Sequence, residues 1–335
     1  MSKNELAAIA GNFANCRIAV IGDVMLDVYQ WGRVDRISPE APVPVVSISR
    51  RTSSPGGAGN VMSNIAALGG KVFAFGAVGK DAAGAEIRKK LGERGISDRF
   101  IVDIDRRTTE KQRIVSGNQQ LLRVDVEDTG RIENSVAGKI AAPLMQMIAA
   151  GELDAVIFDD YAKGMLSAEL VSEIASAAAD AGIITALDPK PGSFLPVRGL
   201  TVMKPNRKEA FAMANVTPEY TCSDPADDRA LARVAETLMQ EWQPEQLIIS
   251  LASQGMALFE SNGKMQIIPT RAREVFDVSG AGDTVIAAYT MALVSGASPA
   301  QAAKTANAAA GVVVGKLGTV AISYQELIAE LEQIR

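Results

Sequence analysis

The stretch LDAVIFDDYAKGMLSAELVSEIASAAADAGIITAL, residues 153–187, contains a strand–helix–strand unit that decides the fold class. Its two ends, Leu153–Phe158 and Ile183–Leu187, are short apolar runs typical of buried strands. Between them, Ser167 can cap a helix whose apolar residues share one face, and Gly182 can end it. Two buried strands joined by a helix predict a parallel pair.

The same alternation of strands and helices continues along most of the chain. Further strands are predicted at Arg17–Gly22, Lys71–Val78, Thr201–Met203 and Gln246–Leu251. Further helices are predicted at Gly59–Leu68, Asp81–Arg94, Asn134–Ala149, Asp227–Glu241, Ala281–Val294, Pro299–Val314 and Tyr324–Ile334. This order predicts an α/β fold with a doubly wound, mostly parallel sheet and helices on both faces.

Two stretches, Tyr29–Arg50 and Thr108–Val126, interrupt this alternation. The first is rich in proline and valine, and the second places a Gly117-Asn118 turn between two apolar runs. We expect both to form antiparallel strands of a small sheet projecting from the main one. Such a sheet could act as a lid, or its strands could be plain surface hairpins, and composition does not decide between these.

The chain of 335 residues contains no histidine, which excludes several kinds of chemistry at once. Ser-His-Asp and Cys-His catalysis, HExxH zinc sites and histidine phosphotransfer all need an imidazole. A general base must therefore be sought mainly among carboxylates, lysines, tyrosines and cysteines. The two cysteines are far apart and form no CxxC pair, so we expect reduced thiols.

Charge and hydropathy indicate a cytoplasmic enzyme or binding protein. The 34 Lys and Arg residues are scattered and are outnumbered by 39 Asp and Glu, so a nucleic-acid surface is not expected. The longest uncharged run, Thr284–Ala303, contains glycine, proline and hydroxyl residues and is a poor membrane span. No membrane partner is expected.

The sequence DVSGAGDT at residues 277–284 precedes a strongly helical run. Small residues let the backbone approach a ligand closely, and the first N–H groups of a helix have no intrahelical acceptor, so they can bind an anion. Asp283 would then take a proton from a hydroxyl that attacks a bound phosphorus atom. Alternatively, the stretch is an ordinary helix start with an acidic first turn. No Walker A loop and no GxGxxG motif competes with it.

Five motifs in this order resemble those of the PfkB/ribokinase family of carbohydrate kinases. They are Gly22-Asp23 with Asp27, the glycine signature at residues 56–60, Val78–Asp81 with Gly84, Asn206–Glu209 and the DVSGAGDT stretch. The resemblance covers residues 17–320 and implies one ribokinase-like kinase domain over 1–335, with lid segments at about 29–50 and 108–126 inserted. It also implies that the protein uses ATP and Mg²⁺.

Further segments, at residues 35–45, 119–123, 160–164 and 188–190, are similar to those of family members that phosphorylate heptose 7-phosphate. This implies transfer from ATP to the anomeric hydroxyl of D-glycero-β-D-manno-heptose 7-phosphate, giving the 1,7-bisphosphate for ADP-heptose and lipopolysaccharide core synthesis. A PfkB-type kinase for another sugar or sugar phosphate, and a non-catalytic sugar or nucleotide sensor, remain alternatives. The pathway's nucleotidyltransferase uses an HxGH motif, so we expect a stand-alone kinase and a separate nucleotidyltransferase.

The resemblance assigns catalytic roles to the DVSGAGDT stretch and magnesium roles to the Asn-x-x-Glu motif. Asp283 is the base, and the N–H groups of Gly280, Ala281 and Gly282 form the anion hole. Asn206 and Glu209 organise Mg²⁺ through its waters, although the same motif is otherwise a plain helix start.

Substrate-binding residues expected by the same resemblance are Asp27, Gly56, Gly57, Asn60, Lys111, Lys163 and Asp188. For Asp27 the alternative is a turn residue, and for Asn60 a helix cap. The substrate phosphate requires a cation, for which Lys111, Arg113, Arg123, Lys163 and Lys190 are candidates.

The nucleotide is expected at Ser250, Gly255, Asn307 and Gly311. The segment Ser250–Gly255 departs from the family's glycine-rich turn by reading Ser-Leu-Ala-Ser-Gln-Gly. A monovalent cation such as K⁺ is expected near Asp277 and Ser279, and the lids of two subunits are expected to form a homodimer.

Overall fold

The computed structural model describes residues 3–117, 119–192, 197–217, 222–271 and 275–333. The strands in chain order are β1 (Arg17–Gly22), β2 (Val24–Ile37), β3 (Pro44–Gly57), β4 (Lys71–Gly79), β5 (Phe100–Ile104), β6 (Thr109–Ser116), β7 (Gln119–Val126), β8 (Ala155–Asp159), β9 (Ile184–Asp188), β10 (Val202–Met203), β11 (Gln246–Ser250), β12 (Met256–Glu260) and β13 (Met265–Ile268). The α-helices are α1 (Lys3–Gly11), α2 (Ala58–Ala67), α3 (Ala82–Gly92), α4 (Asn134–Ala149), α5 (Ala168–Asp180), α6 (Arg207–Met213), α7 (Arg229–Trp242), α8 (Ala281–Val294), α9 (Pro299–Val313) and α10 (Tyr324–Leu331).

Nine of these strands form the main sheet, in the order β13-β12-β11-β10-β9-β8-β1-β4-β5. The seven strands from β11 to β5 are parallel, and β12 and β13 add an antiparallel edge. Because parallel strands need long crossovers, helices connect them and cover the sheet.

Helices pack on both faces of the main sheet. Alternate residues of β1 point to opposite sides, so Ile18 and Val20 join a core with α1, α2, α8, α9 and α10. Ala19 and Ile21 join a second core with α4, α5, α6 and α7. These two cores confirm the predicted α/β class with helices on both faces.

The predicted elements agree closely with the structure. All six predicted strands and all eight predicted helices form, most of them within two residues of the expected ends, and Ile334 lies outside the described residues. In α5 the Ser167 hydroxyl accepts the Leu170 N–H at 3.2 Å, as a helix cap should. The sequence did not predict α1, α6, β5 or the β12–β13 hairpin, which are short elements stabilised mainly by packing against the rest of the fold.

The two interrupting stretches do form a small four-stranded sheet, in the order β3-β2-β6-β7. Its outer pairs are antiparallel, as expected, but the central pair of β2 and β6 is parallel. Of the predicted turn between β6 and β7, Asn118 lies outside the described residues. Only Asp23 separates β2 from β1, so one chain segment enters both sheets.

Within the part of the chain that the structure covers, no helix is both long and apolar enough to cross a membrane.

Gly22 allows β1 and β8 to approach closely. A Cβ atom at this position would lie 2.1 Å from the carbonyl oxygen of Asp159. That oxygen belongs to the backbone of β8, so it could move aside only at a large cost in free energy. We expect Gly22→Ala to lower the free energy of unfolding by about 3 kcal/mol, at the upper end of overpacking costs. Urea denaturation measures this loss. The control is Gly11→Ala, where a Cβ meets nothing within 4 Å, and an equal loss there would contradict the explanation.

Candidate active site

The candidate site lies at the edge of the main sheet where the carboxyl ends of the parallel strands meet. Asp23 follows β1, Asp159 ends β8, Asp188 ends β9 and Lys204 follows β10, and all four are buried. The chain leaves β1 towards β4 on one side and later returns to β8 on the other, so the strand order reverses here. Ligands of open α/β sheets bind at such a reversal.

The first turn of α8 closes this edge. Gly280 precedes the helix in the left-handed conformation, with φ 78°, and its missing Cβ leaves room for the Asn60 amide. The N–H of Ala281 donates to Val278 at 3.2 Å. Over the described ranges, the N–H groups of Gly282 and Asp283 have no acceptor. The Gly282 N–H is therefore available for the predicted anion hole, which stays a prediction, whereas the Ala281 N–H is already hydrogen-bonded within the turn.

Asp283 is buried at the start of α8 and both of its carboxylate oxygens accept hydrogen bonds. The Asn60 Nδ2 donates to Oδ2 and the Tyr161 hydroxyl donates to Oδ1, each at 2.8 Å. Burial raises the pKa of Asp283, and the hydrogen bond from Asn60 opposes that rise by favouring the charged form. The structure thus places Asn60, predicted as a sugar contact, on the candidate base itself.

Asp188 and Lys204 form a buried ion pair beside the first turn of α8. Lys204 Nζ lies 2.8 Å from Asp188 Oδ2. A Cβ atom on Gly282 would be 3.3 Å from that Nζ, so the ammonium group lies next to the predicted anion hole. The sequence did not indicate a role for Lys204.

Asp159, Asp188 and Asp283 bring carboxylate oxygens within 4.8 Å of one another. Carboxylates are suitable ligands for Mg²⁺, but Lys204 already supplies this cluster with a positive charge. A metal ion on Asp283 would also occupy the electron pairs that a base needs. We therefore do not place a metal ion at these three carboxylates.

The carboxylate of Asp23 organises the segment after β8. It accepts the backbone N–H groups of Tyr161, Lys163 and Met165 at 2.8, 3.0 and 3.1 Å. Its own backbone N–H and carbonyl contact Asp159 and Ala58, at the end of β8 and the start of α2. Asp23 therefore positions both segments that supply donors to the candidate base.

The expected sugar site lies where β2, β3 and α2 meet. Asp27 accepts Arg113 at 2.6 Å and the Thr319 hydroxyl at 3.1 Å, so it is held by partners that the sequence did not indicate. A Cβ atom on Gly56 would lie 2.3 Å from Asp27 Oδ2. Gly57 has φ 56° and a Cβ there would lie 2.4 Å from the Asp23 carbonyl oxygen. Both predicted glycines are required by close approach.

The five candidate cations for a substrate phosphate differ in their partners. Four are paired with a carboxylate: Arg113 with Asp27, Arg123 with Asp125, Lys163 with Glu127 and Lys190 with Glu209. Lys111 has no ion pair with any described carboxylate. Its Nζ lies 4.6 Å from the ring centre of Tyr161, and burial lowers its pKa.

Asn206 and Glu209, the predicted magnesium residues, form a capping box at the start of α6. The Glu209 N–H donates to Asn206 Oδ1 at 2.9 Å and the Asn206 N–H donates to Glu209 Oε2 at 2.8 Å. Lys190 binds the other carboxylate oxygen. Both oxygens of Glu209 are engaged, and this suits a metal ion held through its waters better than one bound directly.

Three of the four predicted nucleotide residues lie at or against the ends of β11 and β13, and the fourth, Gly311, follows on α9. Ser250 forms a β-bridge to Asn206. Gly255 has φ 90°, and a Cβ there would lie 2.0 Å from the Ile268 carbonyl oxygen, so only glycine fits this turn. Asn307 on α9 donates to the Pro269 carbonyl at 2.7 Å, and Gly311 lies one helical turn further on. The structure thus connects Ser250, Gly255 and Asn307 through the ends of β11 and β13.

The predicted monovalent cation residues lie in the loop before α8. Asp277 accepts the N–H groups of Ser279 at 2.8 Å and Gly318 at 3.1 Å, and the Tyr29 hydroxyl at 3.2 Å. These bonds fix the loop between the small sheet and α8.

Comparison with known proteins identifies the same family over most of the chain. The model of the pfkB family of carbohydrate kinases matches residues 16–326. The chain is 39% identical over 334 residues to a protein of Citrifermentans bemidjiense called "Bifunctional protein HldE", covering 99% of this chain and 66% of that protein. It is 45% identical over 327 residues to the protein of that name from Caulobacter vibrioides, covering 97% and 65%. The chain spans about two thirds of the length of these relatives.

Solved structures share the fold at lower identity. Phosphofructokinase-2 from Escherichia coli in complex with substrates and products superposes with a TM-score of 0.76 at 19% identity, covering 94% of this chain and 98% of that one. Ribokinase from Arabidopsis thaliana complexed with ribose and ATP gives 0.69 at 18%, covering 96% and 99%. This likeness confirms the ribokinase-like fold.

The hydroxyl of Tyr161 stabilises the ionised form of Asp283. We expect Tyr161→Phe to raise the pKa of Asp283, because a donor to the carboxylate is lost. Since a carboxylate is ionised only above its pKa, the charged form should then disappear at a higher pH than in the wild type. Carboxyl ¹³C NMR titration measures this. Tyr324→Phe, at the start of α10, is the control, and an equal shift in both variants would refute the role of Tyr161.

Proposed function

Because the chain belongs to the pfkB family of carbohydrate kinases, we propose that it transfers the γ-phosphoryl group of ATP to the anomeric hydroxyl of D-glycero-β-D-manno-heptose 7-phosphate. The product would be the 1,7-bisphosphate, a precursor for ADP-heptose and lipopolysaccharide core synthesis. The observation that carries the proposal is the buried Asp283 carboxylate, which lies beside free N–H groups at the start of α8.

The choice of sugar is supported by the relatives that the whole chain resembles. Two proteins called "Bifunctional protein HldE" align with nearly all of it at 39% and 45% identity. The segments at residues 35–45 and 160–164, which resemble the heptose kinases, include Tyr161 on the candidate base. A nucleotidyltransferase activity would act on the product later in the pathway.

The chemistry follows from the groups at the carboxyl edge of the sheet. Asp283 accepts the proton of the attacking hydroxyl while that oxygen forms its bond to phosphorus and the bond to the leaving ADP oxygen breaks. The free N–H groups at the start of α8 and the Lys204 ammonium offer positive charge to the transferring phosphoryl group. Asn60 and Tyr161 orient the base.

Magnesium and a monovalent cation complete the proposed kinase. Mg²⁺ would neutralise phosphate charge, and Asn206 and Glu209 would hold it through its waters, beside Ser250. A cation such as K⁺ would lie near Asp277 and Ser279, in the loop before α8.

The small sheet would act as a lid over the sugar and as the contact between two subunits. Closure of a lid excludes water and so limits wasteful hydrolysis of ATP. Several apolar side chains of this sheet and of its connection between β2 and β3 are exposed, among them Ile37, Val43 and Leu122, each by more than half. A homodimer through the small sheet would cover such residues. A cytoplasmic location accords with these small-molecule substrates.

The substrate phosphate would bind at Lys111. Four of the five candidate cations neutralise a carboxylate of the protein, which leaves Lys111 with its positive charge uncommitted among the described ion pairs. In the strand register Lys111 lies opposite Asp27, at the expected sugar site. Lys111 is half-buried, and an ammonium whose pKa is lowered by burial gains most from an arriving anion.

The experiment that tests this function is a phosphoryl-transfer screen with ATP and a panel of sugars. Heptose 7-phosphate, fructose 6-phosphate and ribose are compared by kcat/KM, and NMR assigns the new phosphate. We expect heptose 7-phosphate to be preferred and the new phosphate to lie on the anomeric oxygen. Preference for another sugar would favour a different kinase of the family, and no ADP release with any of them would favour a sensor.

Removal of the base should abolish turnover without affecting nucleotide binding. We expect Asp283→Asn to lower kcat by about 10²- to 10⁴-fold, the usual contribution of a general base. Calorimetric titration with ATP should give an unchanged affinity. Asp180→Asn, on an exposed carboxylate at the end of α5, is the control and should keep wild-type kcat. Near-normal turnover in Asp283→Asn would disprove the assignment.

Lys111→Met should weaken the binding only of sugars that already carry a phosphate group. We expect KM for heptose 7-phosphate to rise about 10- to 100-fold, as for loss of a hydrogen bond between charged groups. The KM for the unphosphorylated heptose should stay unchanged. Arg123→Met removes a neighbouring cation that is paired with Asp125, and it should leave both values as they are. Equal effects on the two sugars would show that Lys111 does not bind the phosphate.

A further inference from the structure

Asp159 is a buried carboxyl group for which the proposed mechanism has no use. It ends β8, its relative exposure is 0%, and neither of its carboxylate oxygens has a hydrogen-bond partner among the described residues. An unpaired carboxylate in such a position is strongly disfavoured, because burial removes its hydration and nothing replaces it. The group is therefore either neutral or compensated by a neighbour.

The charged groups around Asp159 already have partners of their own. Lys204 is paired with Asp188, Lys190 is paired with Glu209, and Lys111 lies against the Tyr161 ring. From β1, Asp23 accepts three backbone N–H groups. Among the described residues, no basic side chain forms an ion pair with Asp159.

Asp283 belongs to the same cluster as Asp159, but its carboxylate oxygens do have hydrogen-bond donors. Its two oxygens accept hydrogen bonds from Asn60 and Tyr161. An oxygen of Asp159 lies within 4.8 Å of oxygens of Asp283 and Asp188, a distance that one bridging water can span. Two adjacent buried carboxyl groups, only one of which has donors, should differ in protonation.

We propose that Asp159 and Asp283 hold a single proton between them in the resting protein, with the proton on Asp159 and the negative charge on Asp283. This inference rests on the proposed function in taking Asp283 as the base. Asp159 is then a positioning residue: as a neutral group it fills the site beside the base without competing for a proton or repelling the phosphates of ATP. When the sugar hydroxyl gives its proton to Asp283, both carboxyl groups are briefly neutral.

The electrostatic surroundings of the two residues agree with a proton on Asp159 and a negative charge on Asp283. Burial, followed by the negative charges of Asp283 and Asp188, raises the pKa of Asp159 well above its ordinary value, while Lys190 and Lys204 oppose the rise. Like charges that share a buried site cannot both ionise readily, so one of the pair keeps its proton. The hydrogen bonds to Asp283 decide that the charge lies there.

The first test is infrared spectroscopy of the protein without substrates. At neutral pH, the wild type should show the C=O stretch of a protonated carboxylic acid that Asp159→Asn lacks. This band should shift in ²H₂O, because the carboxyl proton exchanges with the solvent. Asp180→Asn is the control and should show no such band. Absence of the band in the wild type would overturn the proposal. Its loss on adding Mg²⁺ alone would also overturn it, because the metal would then bind Asp159.

The second test is the pH profile of kcat/KM for Asp159→Asn. The amide is neutral and has the shape of the acid, so we expect the acid limb of the profile to stay within about half a pKa unit of its wild-type position, whatever the height of the profile. If Asp159 were charged, its removal would lower the pKa of Asp283 and shift the acid limb down by about one unit or more. That shift would refute the proposal.

These measurements separate failure of the inference from failure of the proposed function. If Asp159→Asn does not fold, the smaller neutral variant Asp159→Ser replaces it, and a wild type labelled with ¹³C at aspartate carboxyls gives the same infrared answer. A wild type that phosphorylates sugars but lacks the band refutes only the shared proton. A wild type that shows the band but phosphorylates no sugar refutes only the kinase assignment.

Discussion

The hydrogen bonds of Asp23 are the interaction on which the rest of the site depends. Its carboxylate fixes the backbone of residues 161–165, and its carbonyl accepts the Ala58 N–H where α2 begins. Tyr161 comes from the first of these segments and Asn60 from the second, and together they hold the Asp283 carboxylate. One short residue between β1 and β2 thus sets the position of the candidate base, which lies more than 250 residues further along the chain.

Three carboxylates in and around the candidate site are neutralised by ion pairs. Asp188 has Lys204, Glu209 has Lys190, and Asp27 has Arg113. Such buried pairs contribute little to stability as such, but removal of one member leaves an uncompensated charge. In the proposed mechanism, carboxylates, lysines and one phenol therefore take the roles in proton transfer and phosphate binding that an imidazole has in other enzymes.

Most of the fold could be predicted from the sequence because strand and helix periods are local properties. The unit at residues 153–187 forms as expected, and Ser167 caps its helix. The parallel pairing of β2 and β6 could not be predicted, since it depends on how two distant stretches leave the main sheet.

The candidate site was predicted as a set of motifs but not as a set of contacts. Family motifs indicated Asp283 and Asn60, yet only the three-dimensional structure shows that they are bonded to each other across 223 positions. Tyr161 lies in the segment 160–164 that resembles the heptose kinases, but its contact with Asp283 could not be predicted, and no local pattern indicates a role for Lys204. The partners of the five candidate cations could not be predicted either, because a lysine or arginine in a sequence does not reveal its counter-ion.

The continuity of β1 and β2 through Asp23 has a mechanical consequence. As an extended strand, the 14 residues of β2 span about 45 Å, and the part next to Asp23 is buried in the main core, where Val24, Leu26 and Val28 pack. A force on the far end of the small sheet would therefore reach the residue that orients the candidate base through packed side chains and not through a free hinge.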